Sequence, residues 1–243
     1  MTERRLGDAV TGWVQPRRPD RAAMQGQYVR LEPLNADAHA FALQQAFEGH
    51  DSLWDYMPYG PFASGTAYHR WARQREEGED PRFFVLCDAQ TGKPGGIASY
   101  LRITPDAGSI EVGHICISPA MQRGVAATEA MFLMMEWAFA AGYRRYEWKC
   151  NALNLPSRRA AQRLGFSFEG VFRQHMIVKG RNRDSAWFSV IDSEWPALAE
   201  AFRVWLSPSN FDAKGRQRER LSDLTRLVRA NDDPAVAGQD GRP

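Results

Sequence analysis

The residues able to do chemistry concentrate between positions 110 and 165. Residues 109–118 read as a strand, and a short loop, Pro119-Ala120-Met121-Gln122-Arg123-Gly124, opens directly into an apolar helix. A strand-loop-helix junction presents unpaired backbone N–H groups and the positive end of a helix dipole, together an anion site suited to phosphate. The same geometry occurs at many junctions that bind nothing, so it does not name a ligand. Two strand residues can exchange protons, Glu111 and His114. Three positions separate them, so a regular strand points them to opposite faces unless a bulge intervenes. Further on, Asn154 and Ser157 precede Arg158 and Arg159 at the start of a short helix, and Cys150 follows Lys149 on another strand. A buried core thiol is the preferred reading of Cys150 over an acyl-accepting nucleophile.

These residues need a framework to hold them. Strands are expected at residues 28–33, 82–88, 95–103, 109–118, 146–150, 170–178 and 186–191, from apolar alternation bounded by turn residues. Helices are expected at 36–47, 66–77, 127–141 and 156–164. The third is apolar nearly all round, which implies burial on several sides. The turn Lys179-Gly180-Arg181-Asn182-Arg183-Asp184 joins the last two strands into a hairpin. Between the first two helices, residues 50–62 hold Trp54, Tyr56, Tyr59 and Phe62 among Pro and Gly, either a loop lining a pocket or a cover over the core. The order βααβββαβαββ gives a mixed α/β (α+β) fold, without the repeated βαβ alternation of a doubly wound parallel sheet.

The ordered motifs resemble those of the GNAT acyl-CoA N-acyltransferases over about residues 27–195. In that family a Gln/Arg-x-x-Gly-x-Gly/Ala loop cradles the pyrophosphate of acetyl-CoA. Here Gln122-Arg123-Gly124-Val125-Ala126-Ala127 aligns with it, followed by Thr128-Glu129-Ala130. Val125 stands where the family usually has its first Gly, and a β-branched residue resists the positive φ and close phosphate approach expected there. Asn151, Asn154, Ser157 and Leu164-Gly165-Phe166 resemble the second family motif. The hairpin from Arg173 to Asp184, with Asp192-Ser193-Glu194-Trp195, resembles the ending of the RimJ/RimL-like branch, named for enzymes that acetylate ribosomal-protein N-termini.

The resemblance implies a mixed, mostly antiparallel sheet of about six to seven strands with helices on both faces. It implies direct transfer of an acetyl group from acetyl-CoA to a primary amine, either a protein N-terminus or a small-molecule amine. Glu111 takes the family's base position, and a water chain is the alternative. Ser157 takes the position of the sulfur partner, since no Tyr stands in residues 160–164. Because a Ser hydroxyl is a poor acid, it is expected to hydrogen-bond the sulfur or relay through water. A backbone N–H of Cys116 or Ile117 would polarise the thioester carbonyl. Gln122, Arg123, Gly124, Val125, Ala126, Ala127, Thr128, Asn154 and Arg159 are the remaining cofactor-binding candidates. Trp54, Tyr56, Tyr59 and His175 would wall the acceptor site, with Asp51 and Asp55 placed to attract a cationic amine. Homodimerisation is a further family expectation. A CoA-binding sensor without turnover is the rival reading, and a scaffold protein a more distant one.

Composition sets the outer bounds. The 243 residues are 44% hydrophobic and 25% charged, enough for a sizeable core. Residues 1–21 carry five Arg and three acids and residues 207–243 seven basic and six acidic residues, which leaves nineteen basic and twenty acidic between them. The basic excess therefore sits in the tails, against a nucleic-acid-binding face. Polar, Pro-punctuated ends read as poorly ordered at residues 1–25 and 234–243, flanking a transferase domain at 26–206. Leu221, Leu224, Leu227 and Val228 give the C-terminal extension, 207–243, an amphipathic helix. Cys87, Cys116 and Cys150 are odd in number and widely spaced, which argues against disulfides and against a metal site. No membrane segment and no secretory signal is legible, so cytoplasmic residence is expected.

Overall fold

The computed structural model describes residues 6–237. Its elements run β1 (Met24–Gln25), β2 (Val29–Pro33), α1 (Ala36–Phe47), a 3-10 turn (Asp51–Trp54), α2 (Gly65–Arg73), β3 (Arg82–Asp88), β4 (Pro94–Thr104), β5 (Ser109–Ile117) and α3 (Val125–Ala140). They continue with β6 (Arg145–Asn151), α4 (Leu155–Arg163), β7 (Ser167–Val178), β8 (Arg181–Ile191), α5 (Trp195–Leu206), a second 3-10 turn (Pro208–Asn210) and α6 (Leu221–Thr225). One eight-stranded sheet has the order β1-β2-β3-β4-β5-β6-β8-β7, parallel between β5 and β6 and antiparallel elsewhere. The two-residue β1 takes the count above the six to seven strands expected.

Helices cover both faces, and the burial of each strand follows from what covers it. β3 and β4 are buried on both sides, because α3 packs on one face and α1 and α2 on the other. β6 alternates instead: Tyr146, Trp148 and Cys150 enter the α3-side core, while Arg145, Glu147 and Lys149 point to the opposite face. The α1/α2 core reaches Cys116 on β5 and does not extend to β6 or β8. Half of that face is thus left for polar side chains, and the candidate site occupies it.

α3 is anchored at its first turns by a carboxylate. Glu129 is 5% exposed and accepts the backbone N–H groups of Gln27, Tyr28 and Val29 at 2.8, 2.6 and 2.8 Å. Charge-assisted bonds of this kind are among the stronger ones available to a fold. They fix the start of β2 against the helix.

Both tails depart from their sequence reading. Composition marks residues 1–25 as poorly ordered, yet Trp13 donates its indole N–H to Gly142 C=O and Tyr143 its hydroxyl to Arg17 C=O, and Pro16 and Pro19 are buried. A polar segment is held here by single side-chain contacts that no periodicity announces. In the C-terminal extension the amphipathic stretch forms only the five-residue α6, with Leu221 buried on α4 and α5. The chain beyond it stays docked to Val236, which is fully buried. Residues 238–243, the rest of the expected disordered end, lie outside the described residues. α5 was not anticipated, although Leu198, Ala199, Phe202, Trp205 and Leu206 give it a buried face. No helix among the described residues is long and apolar enough to cross a membrane.

Candidate active site

Pairing between the parallel strands β5 and β6 runs from Ser109/Arg145 to Val112/Trp148 and then stops. Beyond that point β5 keeps only its β4 neighbour, so a gap opens toward the carboxyl ends of both strands. Ser118 donates its N–H to Gly95 C=O, on the β4 side, at 2.8 Å. Since successive N–H groups of a strand alternate in direction, Ile117 N–H faces the gap and Cys116 N–H faces β4. Of the two proposed carbonyl-polarising donors, Ile117 is the one presented. Cys116 is 3% exposed, and burial pushes its thiol up to about 12.

The loop that leaves β5 is tightly turned. Met121 and Gln122 both donate N–H to Ser118 C=O, and Gln122 Nε2 reaches back to Ile117 C=O at 2.7 Å. The positive φ of the loop falls on Arg123, at 59°, while Gly124 caps the helix at φ −80°. Val125 is the first residue of α3, in helical conformation. The strain expected of a β-branched residue at this position is therefore absent, because the left-handed turn lies two residues earlier. The first intrahelical bond is that of Thr128 N–H to Gly124 C=O, which leaves the N–H groups of Val125, Ala126 and Ala127 as the orphan donors of the helix start. Gln122 and Arg123 are exposed at the mouth of this cradle. Thr128 is not at the mouth: it is 4% exposed, its hydroxyl donating to Gly124 C=O and accepting from Arg163.

Across the gap, Asn154 caps α4 by accepting Ser157 N–H at 3.1 Å. Ser157 Oγ accepts the indole N–H of Trp148 at 3.1 Å and hydrogen-bonds Cys150, whose thiol burial pushes up to about 11. Arg158 is turned inward, paired with the fully buried Asp233 at 2.6 and 2.5 Å and donating to Ala152 C=O. It is therefore withdrawn from any phosphate-binding role. Arg159 is exposed on the next position.

On the α1/α2 face, Glu111 forms a charged triad. It is 3% exposed, bonded to Arg102 at 2.9 Å and to Lys149 at 2.7 Å, and the Lys149 ammonium lies 3.9 Å from the centre of the Trp187 ring. Burial raises the Glu111 pKa, and the two cations oppose that shift; burial likewise lowers Lys149, opposed by Glu111. A bulge does intervene between Glu111 and His114. Three steps on β5, Gly113 to Cys116, face two on β4, and His114 has φ 51°. Ile110 and Val112 enter the α3-side core, whereas Cys116 enters the α1/α2 core, so the bulge reverses the alternation. His114 stacks on Tyr59 and packs on Phe83, on the same face as Glu111. Its Nδ1 is 3.1 Å from Tyr59 Oη, and burial depresses its pKa to about 4.

The aromatic loop divides between the two readings given to it. Trp54 is 2% exposed and packs on Phe47, Phe62 and Tyr68, so it is core and not pocket wall. Tyr56 is exposed and lines a cavity of about 300 Å³ together with Asp55, Lys179 and Arg183. His175 sits on a second bulge, opposite Ser185 at 2.9 Å, in an open cavity of about 640 Å³. Sequence reasoning missed Arg102, Trp187, Asp233 and the charged role of Lys149. Lys149 was visible as an odd position of a strand whose even positions are apolar, which places it on the polar face. Away from this cleft, Glu32, His39 and Cys87 bring ligand-type atoms within 4.8 Å of one another. Asn35 N–H donates to His39 Nδ1, so the Nε2 proton is left for Glu32 and the group is satisfied internally.

Comparison with known proteins places this geometry. Residues 29–167 match the family model described as an acetyltransferase (GNAT) domain. The chain is 46% identical to a GCN5-related N-acetyltransferase from Brucella melitensis, with TM-score 0.87 over 90% of this chain and 100% of that one. It is 40% identical to a probable acetyltransferase of the GNAT family from Chromobacterium violaceum, with TM-score 0.76 over 81% and 100% of the two chains. RimL, a ribosomal L7/L12 alpha-N-protein acetyltransferase, shares the fold at 18% identity and TM-score 0.61, over 70% of this chain and 94% of its own. A search of curated proteins gave no match. On the family model and the two closely similar structures, the chain belongs to the GNAT acetyltransferase family and is a transferase.

Proposed function

We propose that the chain transfers an acetyl group from acetyl-CoA to a primary amine, in the manner of the RimJ/RimL-like branch. The observation that carries this reading is the parting of β5 and β6 between two unlike surfaces. On one side lie the orphan N–H groups of α3, and on the other the charged cleft of Glu111, Lys149 and Arg102. The cosubstrate supplies an activated acyl carbon; the chain's own residues do the rest. Val125, Ala126 and Ala127 N–H, with Gln122 and Arg123 at the mouth, hold the diphosphate. Ala126 and Ala127 keep the approach short. Ile117 N–H stabilises the oxygen on which charge develops during attack. Ser157, oriented by Trp148, hydrogen-bonds the departing sulfur. Glu111 receives the ammonium proton through water, its basicity raised by burial.

A protein α-amine, the acceptor of RimL, is one acceptor class this reading admits, and a small amine is the other. Cytoplasmic residence and a homodimer belong to the same reading, and light scattering that returned a 27.5 kDa particle would remove the dimer. Calorimetric titration with acetyl-CoA tests the cosubstrate. A micromolar Kd in wild type, weakened in Ala126→Glu, supports the cradle, and a flat titration with folded protein refutes it.

A further inference from the structure

One cavity beside the Glu111 cleft holds more positive charge than its own carboxylates neutralise. The cavity of about 300 Å³ lies between the loop after the first 3-10 turn, the end of β6 and the β7–β8 hairpin. Three cations line it, Lys179, Arg181 and Arg183, against the single carboxylate of Asp55. Arg183 is half-buried and donates from Nε to Ser185 Oγ at 3.3 Å. Lys179 donates to the neutral Trp54 C=O at 2.8 Å. Among the described residues none of the three has a carboxylate within 4.0 Å. Asp184, adjacent in sequence, is occupied by Gln174 N–H at 2.7 Å and Asn182 at 3.0 Å. Outside the cavity lining, Arg102 and Lys149 share the one charge of Glu111, which also acts on Arg183.

A guanidinium withdrawn from water without a counter-charge is unfavourable, and its planar fork matches a carboxylate or a phosphate. Burial lowers the Arg183 pKa, and the charge of Glu111 opposes that shift. Of the two carboxylates expected to attract a cationic amine, Asp55 lines the cavity and Asp51 does not. We infer that Arg183, with Lys179 and Arg181, forms an anion subsite of the acceptor cleft, and that the amine acetylated here carries a carboxylate or phosphate close to its nitrogen. The acetylation part of this inference rests on the function proposed above.

Two arms test it. In the first, the arginine Nε–H NMR resonance of Arg183, assigned by its loss in R183Q, is followed in the full chain as inorganic phosphate or acetate is added. Saturable movement of that resonance, while Arg203 on α5 stays still, supports the subsite, and the stronger of the two ions names the anion. Movement no greater than that of Arg203 overturns it. In the second, kcat/KM is compared for matched amines, dipeptides as free acids against their amides and phosphoserine peptides against serine peptides. The anionic member is expected to lead by about tenfold or more, the size of one charge-assisted hydrogen bond, chiefly through KM, with R183Q erasing the lead and R183K keeping part of it. Preference for the neutral members overturns the inference. Because the first arm needs no turnover, anion binding with no acetylation of any amine would sink the function proposed above and leave the subsite standing.

Discussion

The Lys149 ammonium sits 2.7 Å from Glu111 Oε2 and 3.9 Å from the centre of the Trp187 ring, with both partners of the ion pair withdrawn from solvent. Lys149 lies one residue beyond Trp148, the last β6 partner of β5, and Glu111 one residue inside the ladder opposite Glu147, so the pair closes the end of the ladder where the strands separate. A carboxylate placed there is held by two cations before any substrate arrives.

Removing that carboxylate alone leaves Lys149 and Arg102 without their counter-charge. Glu111→Gln is expected to cost about 3 kcal/mol or more in urea unfolding, and Glu111→Gln with Lys149→Met to recover much of it. Acetyl transfer is expected to fall in both variants, through kcat more than KM. Recovered stability together with recovered activity in the double variant would show that Glu111 serves the fold alone.

His114 links pH to stability. Its folded pKa is about 4 and its unfolded value near 6.5, so between those values the unfolded chain binds the extra proton. Stability contributed by this site is therefore complete above about pH 6.5 and declines as pH falls toward 4, by about 3 kcal/mol at most. His114→Phe is expected to flatten this part of the curve, which denaturant midpoints at several pH values will measure. An unchanged slope in the variant would locate the acid sensitivity elsewhere.

The C-terminal extension is tied to α4. Asp233 is the buried partner of Arg158, and the same helix start carries Asn154 and Ser157, assigned above to the proposed site. Asp233→Ala is expected to cost about 3 kcal/mol or more, since it strands a buried guanidinium. It is also expected to raise the KM for acetyl-CoA. Thermal unfolding and initial rates check both effects, and a KM equal to wild type would separate the clamp from the site.

Val125 departs from the family pattern without structural consequence, because the left-handed residue is Arg123. Val125→Gly is expected to lower stability by about 1 kcal/mol or less and to leave acetyl-CoA affinity within about twofold. A marked gain in affinity would show that the Val125 side chain obstructs the cradle.

How much of this was legible depended on whether a signal was local. The strands and helices that frame the site stand almost where alternation and capping put them: α1 at Ala36–Phe47 and β3 at Arg82–Asp88 coincide with the expected bounds. The loop into α3 was legible because small residues, an apolar helix and a strand follow one another in sequence. The bulges were not, since Arg102, His114 and Gln174 adopt positive φ without being Gly. Their conformation is imposed by register between strands, as at Arg102, whose N–H is held by Asp80 at 2.8 Å. For that reason the common face of Glu111 and His114 was conditional in the sequence. The Glu111–Lys149 and Arg158–Asp233 pairs join residues 38 (149 − 111) and 75 positions apart, beyond any local window of sequence.

Amine-dependent release of free thiol from acetyl-CoA, with the acetylated amine weighed by mass spectrometry in the same reaction, tests the proposed transfer most directly. Thiol release is expected to require both protein and amine, with one acetyl group gained for each thiol released and a fall of about tenfold or more in Glu111→Gln. Tight acetyl-CoA binding with no thiol released above the protein-free rate, across peptide and small-molecule amines, would contradict that transfer.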